Sequence, residues 1–338
     1  MADAKTYKVA VIGYGPAFNM GKHHIDSILA NPGFQIAAVV DLTPERREAA
    51  KKDYPQIETF ADVAEMLKKV KPALCVIITP HNVHAPVAIQ CLNAKANVVV
   101  EKPMAITTAE VKAMLAAAKK NKVMLSTFHN RRWDADFVVL RDLVRAGLIG
   151  KVFRIEAGFN GYRQQGTWWR SNKDISGGAI YDWGAHFTDW ILQIGNDEIV
   201  NVTGFQVKNP EWQTYTNEDH SEYTIRFKGG CVATLTISNL SAVDRPKWTI
   251  RGDKGSIVAG GDAFTIQRFD GGRMWTSSVR YDSVKSDWHA YYRNVCAHIR
   301  DGEPLIITAE SAGRVISVLD AADTSAEQGG KPIVPFLA

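Results

Sequence analysis

The sequence predicts an α/β protein with a doubly wound parallel sheet, followed by an α/β domain with an open, mainly antiparallel sheet. Between residues 8 and 127, short apolar runs alternate with longer helical patterns, which is typical of βαβ units around a parallel sheet. After residue 127, strand-length alternating runs follow one another across glycine-rich turns, which favours antiparallel pairing. The length of 338 residues is sufficient for two domains, which we place at 1–128 and 129–338.

The first predicted domain contains short apolar runs separated by helical patterns. Several of these helices begin at Thr, Asp or Pro, residue types that favour a helix N-terminus. Strands are predicted at 9–12, 36–40, 57–59, 74–78, 98–100 and 123–126, and helices at 22–30, 44–53, 61–68, 85–93 and 108–121. Because ligands bind beyond the carboxyl ends of the strands in open α/β sheets, the segments after these strands are candidate binding loops.

The second predicted domain begins with an amphipathic helix at 136–145, which ends before Gly147. Strands are predicted at 152–159, 200–207, 223–227, 232–238, 248–251 and 264–269, and helices at 287–300 and 309–328. Glycine-rich turns at 228–230, 252–255 and 270–272 separate several of these strands, as hairpins require.

The composition excludes several classes of protein. No apolar run approaches the roughly 18 residues of a membrane span. The 40 Lys and Arg residues exceed the 36 Asp and Glu residues by only four, without a block of like charges that would bind nucleic acid. The four cysteines lie far apart, so neither a zinc knuckle nor a disulfide framework is predicted. We expect a cytoplasmic protein with reduced thiols that binds neither nucleic acid nor a membrane.

The first strand ends in a glycine motif. Gly13 and Gly15 begin a G-x-G-x-x-G pattern whose third glycine is displaced to position 21 by a three-residue insertion. Such glycines let the backbone turn sharply and approach a pyrophosphate, although an ordinary Gly-Pro loop would have the same composition. The insertion leaves open how the pyrophosphate is held.

Asp41 ends the second strand, where a carboxylate can accept the ribose hydroxyls of NAD. The same carboxylate would repel the 2′-phosphate of NADP, so NAD is the predicted cofactor and NADP is less favoured. Arg46 on the next helix weakens this preference because it could bind the phosphate. A carboxylate that caps the following helix is the alternative interpretation of Asp41.

Two further strand ends carry polar residues. The predicted cofactor contacts after the strand at 74–78 are Thr79, Pro80, Asn82 and His84. The strand at 98–100 is followed by Glu101-Lys102-Pro103, where Lys102 can donate a hydrogen bond to a substrate hydroxyl. A surface turn would explain the same residues.

A glycine-rich turn at 177–178 leads into an apolar helix on which Asp182 and His186 lie four residues apart on one face. A neutral histidine oriented by a carboxylate is a competent general base, whereas a histidine that caps its own helix is the alternative. One Asp/His pair lacks the ligand count of a zinc site, so no metal is predicted.

The combination of motifs resembles the Gfo/Idh/MocA family of oxidoreductases. The motifs are G-x-G at 13–15, Asp41, Thr79-Pro80, Glu101-Lys102-Pro103 and a G-G-x-x-x-D-x-G-x-H pattern that ends at His186. The resemblance continues through Asn130-Arg131-Arg132, the I-x-G-x-x-G-S pattern at 250–256 and the C-terminal helix. It implies a Rossmann domain, an open-faced substrate domain and NAD(P)-linked oxidation of a sugar, cyclitol or related polyol.

The resemblance also implies roles for individual residues. By position, the catalytic lysine, aspartate and histidine of the family correspond to Lys102, Asp182 and His186. Glu101 and Arg131 correspond to residues on the nicotinamide side. The exposed sheet face commonly makes oligomer contacts in the family, so a homodimer or homotetramer is expected.

The segment 162–170 places aromatic rings beside cations. Rings can stack on the apolar face of a sugar while cations bind hydroxyls, so we predict that Tyr162, Arg163 and Trp168 bind the substrate. Many family members carry a Trp-Arg pair here close to the cofactor, which implies that Trp169 and Arg170 are cofactor contacts. The alternative is that the tryptophans lie in the core or in subunit contacts.

The predicted function is NAD-dependent oxidation of a secondary hydroxyl of a sugar, anhydrosugar, glycoside or inositol. His186, oriented by Asp182, takes the hydroxyl proton while Lys102 polarises the oxygen, and the roles of Lys102 and His186 could be exchanged. One alternative is a redox-neutral, NAD-assisted enzyme that cleaves glycosides through a transient keto intermediate. Another is a non-catalytic protein that senses a sugar or a cofactor.

Overall fold

The computed structural model describes residues 6–15 and 19–338, and its strands alternate with helices in the first part of the chain. The strands are β1 Tyr7–Ile12, β2 Phe34–Val40, β3 Glu58–Phe60, β4 Leu74–Ile77, β5 Asn97–Val100, β6 Leu125–Thr127, β7 Val152–Asn160, β8 Ile199–Val207, β9 His220–Phe227, β10 Val232–Ser238, β11 Trp248–Gly252, β12 Gly255–Gly260, β13 Ala263–Asp270 and β14 Arg273–Arg280. The helices are α1 Met20–Leu29, α2 Pro44–Asp53, α3 Val63–Val70, α4 His84–Asn93, α5 Thr108–Asn121, α6 Ala135–Arg145, α7 Lys173–Ser176, α8 Trp183–Gly195, α9 His289–Asp301 and α10 Ala309–Glu327. Among the described residues, no helix combines the length and the apolar character that crossing a bilayer requires.

The chain divides into two compact units. The first contains the described residues of Met1–His129 together with His289–Ala312, and the second contains Asn130–Trp288 and Gly313–Ala338. The sequence predicts a single division after residue 128, whereas the structure assigns 289–312 to the first unit. The physical reason is that Tyr291 and Tyr292 are buried in the first unit, where they form hydrogen bonds with Ser126 and His24.

The first unit is built on a parallel sheet in the order β3-β2-β1-β4-β5-β6. Strand β4 is buried along its whole length, as expected when helices cover both faces of a sheet. The order reverses between β1 and β4, which makes the carboxyl ends of these strands the topological switch point where ligands bind. Helix α5 begins with a capping box in which Thr107 and Glu110 satisfy each other's backbone N–H groups.

The second unit is built on a sheet of eight described strands in the order β14-β13-β12-β11-β7-β10-β9-β8. Strands β7 and β10 are parallel, and the other neighbours are antiparallel. One sheet face contributes buried residues such as Trp248, whose ring lies 5.5 Å from Phe187 and 5.9 Å from Trp190 of α8.

The opposite face, which we call the open face, is partly exposed. A register row crosses all eight described strands, with Thr203, Thr224, Thr234, Glu156, Thr249, Val258, Thr265 and Ser278 side by side. Every member of this row is half-buried or exposed. Small polar side chains therefore dominate the middle of the open face.

These observations confirm the predicted fold class: a doubly wound parallel sheet followed by a mainly antiparallel one. In the first unit each predicted strand and helix is present, and its ends differ by no more than two residues. The prediction missed β12, β14 and the short helix α7. Strand β14 is exposed along nearly its whole length, so its sequence has no apolar alternation to detect, and β12 is short with glycine at both ends.

Candidate functional site

The glycine loop follows β1 in the first unit. Gly13 has a φ of +99°, and a Cβ atom there would lie 2.3 Å from the carbonyl oxygen of Ile78, so only glycine fits. At Gly15 a Cβ atom would meet, among the described residues, only the Arg46 guanidinium, at 3.7 Å. The displaced third glycine, Gly21, packs closely against the ring of Tyr14. The inserted residues 16–18 lie outside the described residues.

Asp41, at the end of β2, is buried and faces this loop. Its Oδ2 atom accepts a hydrogen bond from the backbone N–H of Tyr14 at 2.8 Å, and its Oδ1 atom accepts one from Thr43 at 2.9 Å. The guanidinium of Arg46 lies 3.9 Å from Oδ2 and is about half exposed. The carboxylate is therefore fixed in orientation while a cation lies at its solvent side.

The turn after β4 carries the predicted cofactor contacts. The Oγ1 atom of Thr79 is buried and has no hydrogen-bond partner among the described residues, whereas Pro80 and Asn82 are exposed. His84 is completely buried, with Nδ1 2.7 Å from the carbonyl oxygen of Pro103 and Nε2 2.9 Å from that of Thr79. Burial lowers the pKa of His84. Its ring thus joins two loops, and direct contact with a cofactor would require those loops to open.

Glu101 and Lys102 follow β5. The Glu101 carboxylate accepts a hydrogen bond from the Lys102 backbone N–H at 2.9 Å and lies 2.9 Å from His24 Nε2. The other ring nitrogen of His24 lies 2.6 Å from the Tyr292 hydroxyl. Burial tends to raise the pKa of Glu101, but the hydrogen bond and charge of His24 and the charge of Lys102 outweigh it, so the pKa lies below its ordinary value. An ionised carboxylate is thereby held beside the half-buried Lys102.

In the second unit, Asp182 lies immediately before α8 and His186 lies in its first turns. The carboxylate of Asp182 accepts a hydrogen bond from Arg170 at 2.8 Å. The ring of His186 is 5% exposed and lies 5.9 Å from the ring of Trp183 and 6.3 Å from that of Trp190. The orientation of His186 by Asp182 stays a prediction.

Two adjacent arginines before α6 have different surroundings. The guanidinium of Arg131 lies 4.6 Å from the Trp183 ring and 5.1 Å from the Trp288 ring, both within cation–π range. Arg132 forms a buried, two-pronged ion pair with Asp189 of α8, at 2.7 and 2.6 Å. This pair fixes α8 against the 130–133 turn, and sequence analysis did not identify it.

Trp168, Trp169 and Arg170 form a compact cluster. The Arg170 guanidinium lies 5.3 Å from the ring of Trp168 and 4.9 Å from that of Trp169. Trp168 is 42% exposed, so its ring is not part of the core. The structure therefore brings this predicted segment together with Asp182 through Arg170.

Tyr162 and Arg163 lie at the start of the same segment. The Tyr162 ring is 64% exposed and contacts Trp212 at 5.6 Å, and Arg163 is also exposed. Both side chains have surface available for a ligand, but the contacts of Tyr162 connect it to Trp212 rather than to the Arg170 cluster. Their substrate contact stays a prediction.

Two buried polar residues in the loop before β9 were also missed. Asn217 and Glu218 are 1% and 5% exposed, and they form hydrogen bonds with the segment 165–180. Their sequence context, a polar run before an alternating strand, resembles an ordinary surface loop. Asn217 and Glu218 differ from surface-loop residues in being buried, and their burial depends on the fold rather than on the neighbouring sequence.

The first unit fits a bound dinucleotide. Gly13 lets the loop after β1 pack tightly against the carbonyl of Ile78, Asp41 presents oriented carboxylate oxygens, and Thr79 Oγ1 is a buried polar atom without a described partner. Among the described residues, no group of three or more His, Cys, Asp or Glu side chains could hold a metal ion.

Comparisons with known proteins identify relatives of both parts of the chain. Residues 7–129 match the model "Oxidoreductase family, NAD-binding Rossmann fold", and residues 137–258 match the model "GFO/IDH/MocA C-terminal domain". The chain is 26% identical to the scyllo-inositol 2-dehydrogenase (NADP(+)) IolW of Bacillus subtilis, over 96% of this chain and 94% of the relative. It is 27% identical to the D-glucoside 3-dehydrogenase of Escherichia coli, over 95% and 96%.

Similar coverage is found for a third relative and for a solved structure. The myo-inositol 2-dehydrogenase of Thermotoga maritima is 25% identical, over 95% of this chain and 96% of the relative. The solved structure of yvaA from Bacillus subtilis superposes with a TM-score of 0.87 at 25% identity, covering 99% of both chains. The likeness to these proteins therefore extends over nearly the whole chain.

Proposed function

Because the chain belongs to the GFO/IDH/MocA family of oxidoreductases, we propose that it is an NAD-dependent dehydrogenase for a secondary hydroxyl of a sugar, anhydrosugar, glycoside or inositol. One observation carries the proposal: Arg170 joins the exposed Trp168 to Asp182. Asp182 lies immediately before α8, the helix that contains His186. Charged groups beside an exposed ring suit a neutral polyol, whose hydroxyls form hydrogen bonds while its C–H face stacks.

In this proposal, each residue of the predicted site has a chemical task. His186 accepts the proton of the reacting hydroxyl, and Asp182 stabilises the imidazolium that results. Lys102 donates a hydrogen bond to the same oxygen and stabilises the negative charge that develops on it. Gly13, Asp41 and Thr79 hold the dinucleotide, whose nicotinamide supplies the acceptor for the hydride.

The named activities of the relatives support a ring-shaped, uncharged substrate. Two act by name on inositols and one on a D-glucoside. A carboxylate or phosphate on the substrate would need a dedicated cation. Arg170, the best-placed candidate, already pairs with Asp182. We therefore propose a neutral polyol rather than a hydroxy acid or a phosphorylated sugar.

The direct test is a screen of sugars, anhydrosugars, glycosides and inositols with NAD and NADP, following absorbance of the reduced cofactor. On the best substrate, His186→Ala and Lys102→Ala should each lower kcat by about 10²–10⁴-fold, the usual effect of removing an acid–base group. His298→Ala, which removes a histidine bonded to the carbonyl of Glu303, is the matched control. Near-normal turnover of His186→Ala would contradict the assigned role, and glycoside cleavage without net cofactor reduction would favour the redox-neutral alternative.

The substrate class has its own test. Trp168→Ala should raise KM for a ring polyol while the protein stays folded, because the exposed ring contributes contact area but little core packing. Trp275→Ala is the control, since that ring is 56% exposed on β14. An unchanged KM for Trp168→Ala would assign the ring a role other than substrate binding.

We also propose a homodimer or homotetramer that pairs through the open face. The eight described strands, with their partly exposed row of small polar side chains, offer a flat surface for a second copy of the chain. Light scattering coupled to size-exclusion chromatography should give a multiple of the 37.3 kDa chain mass. Thr234→Arg, in the middle of the row, should lower that mass, and a monomeric wild-type protein would exclude the proposal.

A further inference from the structure

The loop segment 216–218 lies beside the candidate substrate cluster within the second unit, with Asn217 and Glu218 buried and Thr216 exposed. Its backbone N–H groups at Thr216 and Asn217 donate to the carbonyl oxygen of Ser171, at 3.1 and 3.3 Å. In return, the N–H of Lys173 donates to Thr216 Oγ1 at 2.7 Å. Several hydrogen bonds thus join the segment 216–218 to the residues that directly follow Trp168, Trp169 and Arg170.

The side chain of Asn217 extends this connection in two directions. Its Nδ2 group donates to the carbonyl oxygen of Arg170 at 2.8 Å and to Gln165 Oε1 at 3.1 Å. Its Oδ1 atom accepts a hydrogen bond from Ser176 Oγ at 3.1 Å, and Ser176 Oγ in turn accepts one from the N–H of Gly178. A single buried amide therefore connects the aromatic segment to the turn that precedes Asp182.

Glu218 holds the other end of that turn. Its Oε1 atom accepts hydrogen bonds from the Ile180 N–H at 3.2 Å and from Ser221 Oγ at 3.1 Å. Lys173 Nζ lies 4.0 Å from Oε2. Gly178 has a φ of +123°, and a Cβ atom there would lie 2.8 Å from the Glu218 carboxylate. The turn and the carboxylate are therefore packed without space for a side chain.

We propose that Asn217 and Glu218 are positioning residues that hold the aromatic segment and the 177–182 turn in one arrangement, so that the Arg170–Asp182 pair meets the polyol in a fixed geometry. The role rests on the proposed function for its substrate, although the positioning itself is a property of the fold. Neither side chain needs to touch the substrate. Misplacement of a binding group by about 1 Å can cost about 100-fold in rate, so such support is sufficient to affect catalysis.

The experiment compares near-isosteric variants by two independent readouts. Asn217→Asp keeps the acceptor for Ser176 but replaces the two N–H donors by an oxygen that repels the Arg170 carbonyl and Gln165. If Asn217→Asp does not fold, Gln165→Ala replaces it in the experiment. This variant, at a half-buried position, removes the hydrogen bonds of Gln165 with Asn217 and with the Glu218 carbonyl oxygen. Asn294→Asp, in the first unit, is the matched control, because it likewise keeps an acceptor for a backbone N–H, that of Ile306, and loses a donor to a carbonyl oxygen, that of Pro304.

The first readout is hydrogen–deuterium exchange of the free protein, which requires no substrate. Asn217→Asp should accelerate exchange of peptides within 162–182 by about tenfold or more, since each lost hydrogen bond changes a local opening constant several-fold. Peptides of β11–β14 should exchange at the wild-type rate in Asn217→Asp, and peptides of 162–182 should do so in the Asn294→Asp control. Unchanged exchange at 162–182, or acceleration throughout the second unit, would overturn the proposal.

The second readout separates binding from stability. With a substrate from the polyol screen, Asn217→Asp should raise KM for that substrate by about tenfold at saturating NAD. Glu218→Gln retains an acceptor for Ile180 and should preserve KM, whereas Glu218→Ala should not. Local loosening without a change in KM would refute the positioning role. If the wild type oxidises no polyol, the proposed function fails while the exchange data still decide whether Asn217 holds the two segments.

Discussion

The balance between Asp41 and Arg46 makes a quantitative prediction about cofactor choice. Asp41 is held by the backbone N–H groups of Tyr14 and Thr43, so it cannot turn away from a 2′-phosphate, and Arg46 is the cation beside it. We predict that the wild-type protein binds NAD more tightly than NADP, that Arg46→Ala strengthens this preference, and that Asp41→Asn removes most of it.

The magnitudes follow from the distances. A unit of phosphate charge about 4 Å from the Asp41 carboxylate is repelled by about 4 kcal/mol at an effective dielectric constant of 20. Arg46 lies 3.9 Å from the same carboxylate but is about half exposed, so its compensation is limited to about 1 kcal/mol. The net of about 3 kcal/mol corresponds to a preference for NAD of about 100-fold, and loss of Arg46 should increase it about fivefold.

The assay is isothermal titration of the free protein with each dinucleotide at fixed ionic strength. Lys51→Ala is the matched control, because Lys51 is a cation of the same helix that bonds the carbonyl oxygen of Ile57. Equal Kd values for NAD and NADP in the wild type would refute the electrostatic reasoning. Tighter NADP binding by Arg46→Ala would show that Arg46 does not face the phosphate.

Three further predictions concern stability and metal dependence. Arg132→Met should lower the free energy of unfolding by about 3–5 kcal/mol in urea titrations, because the buried Asp189 carboxylate loses both hydrogen bonds and the opposite charge of the guanidinium, and Arg132→Met/Asp189→Leu should recover much of the loss. The lowered pKa of Glu101 means that its carboxylate stabilises the fold above its ordinary pKa of 4.5 and that this stability is lost as pH falls through the lower folded value. As the pH falls below 4.5, the wild type should therefore lose more stability than Glu101→Gln. Chelation by EDTA should leave dehydrogenase activity unchanged. Activity that is lost with EDTA and restored by a divalent ion would contradict this expectation.

The sequence was sufficient for features that depend on local pattern. The apolar runs of β1 and β4, the start of α5 at a threonine and the glycine at position 13 each have a signature that is legible in a few neighbouring residues. The placement of Asp41 at a strand end follows from the same pattern, because the end of an apolar run locates the binding edge of the sheet.

Features that depend on distant parts of the chain were missed. The bond between His24 and Tyr292 joins residues 268 positions apart, and Arg132 meets Asp189 across 57 positions. Asn217 is a polar residue in a polar run, so nothing local distinguishes it from a solvated loop residue. Such pairs depend on how the helices and strands pack. No periodicity in a single sequence indicates which distant residues will meet.

The discontinuity of the first unit has a consequence for biosynthesis. Residues through His129 leave the ribosome before the whole of Asn130–Trp288 is translated, yet their partners Tyr291 and Tyr292 come later. At about 5–20 residues per second, the nascent chain waits about 10–30 s with the hydrophobic surface around Phe128 uncovered, an interval in which chaperones can bind it. A fragment that ends at residue 129 would keep the surface around Phe128 exposed. A fragment that joins residue 129 to 289–312 through a short linker would bury that surface against Tyr291 and Tyr292.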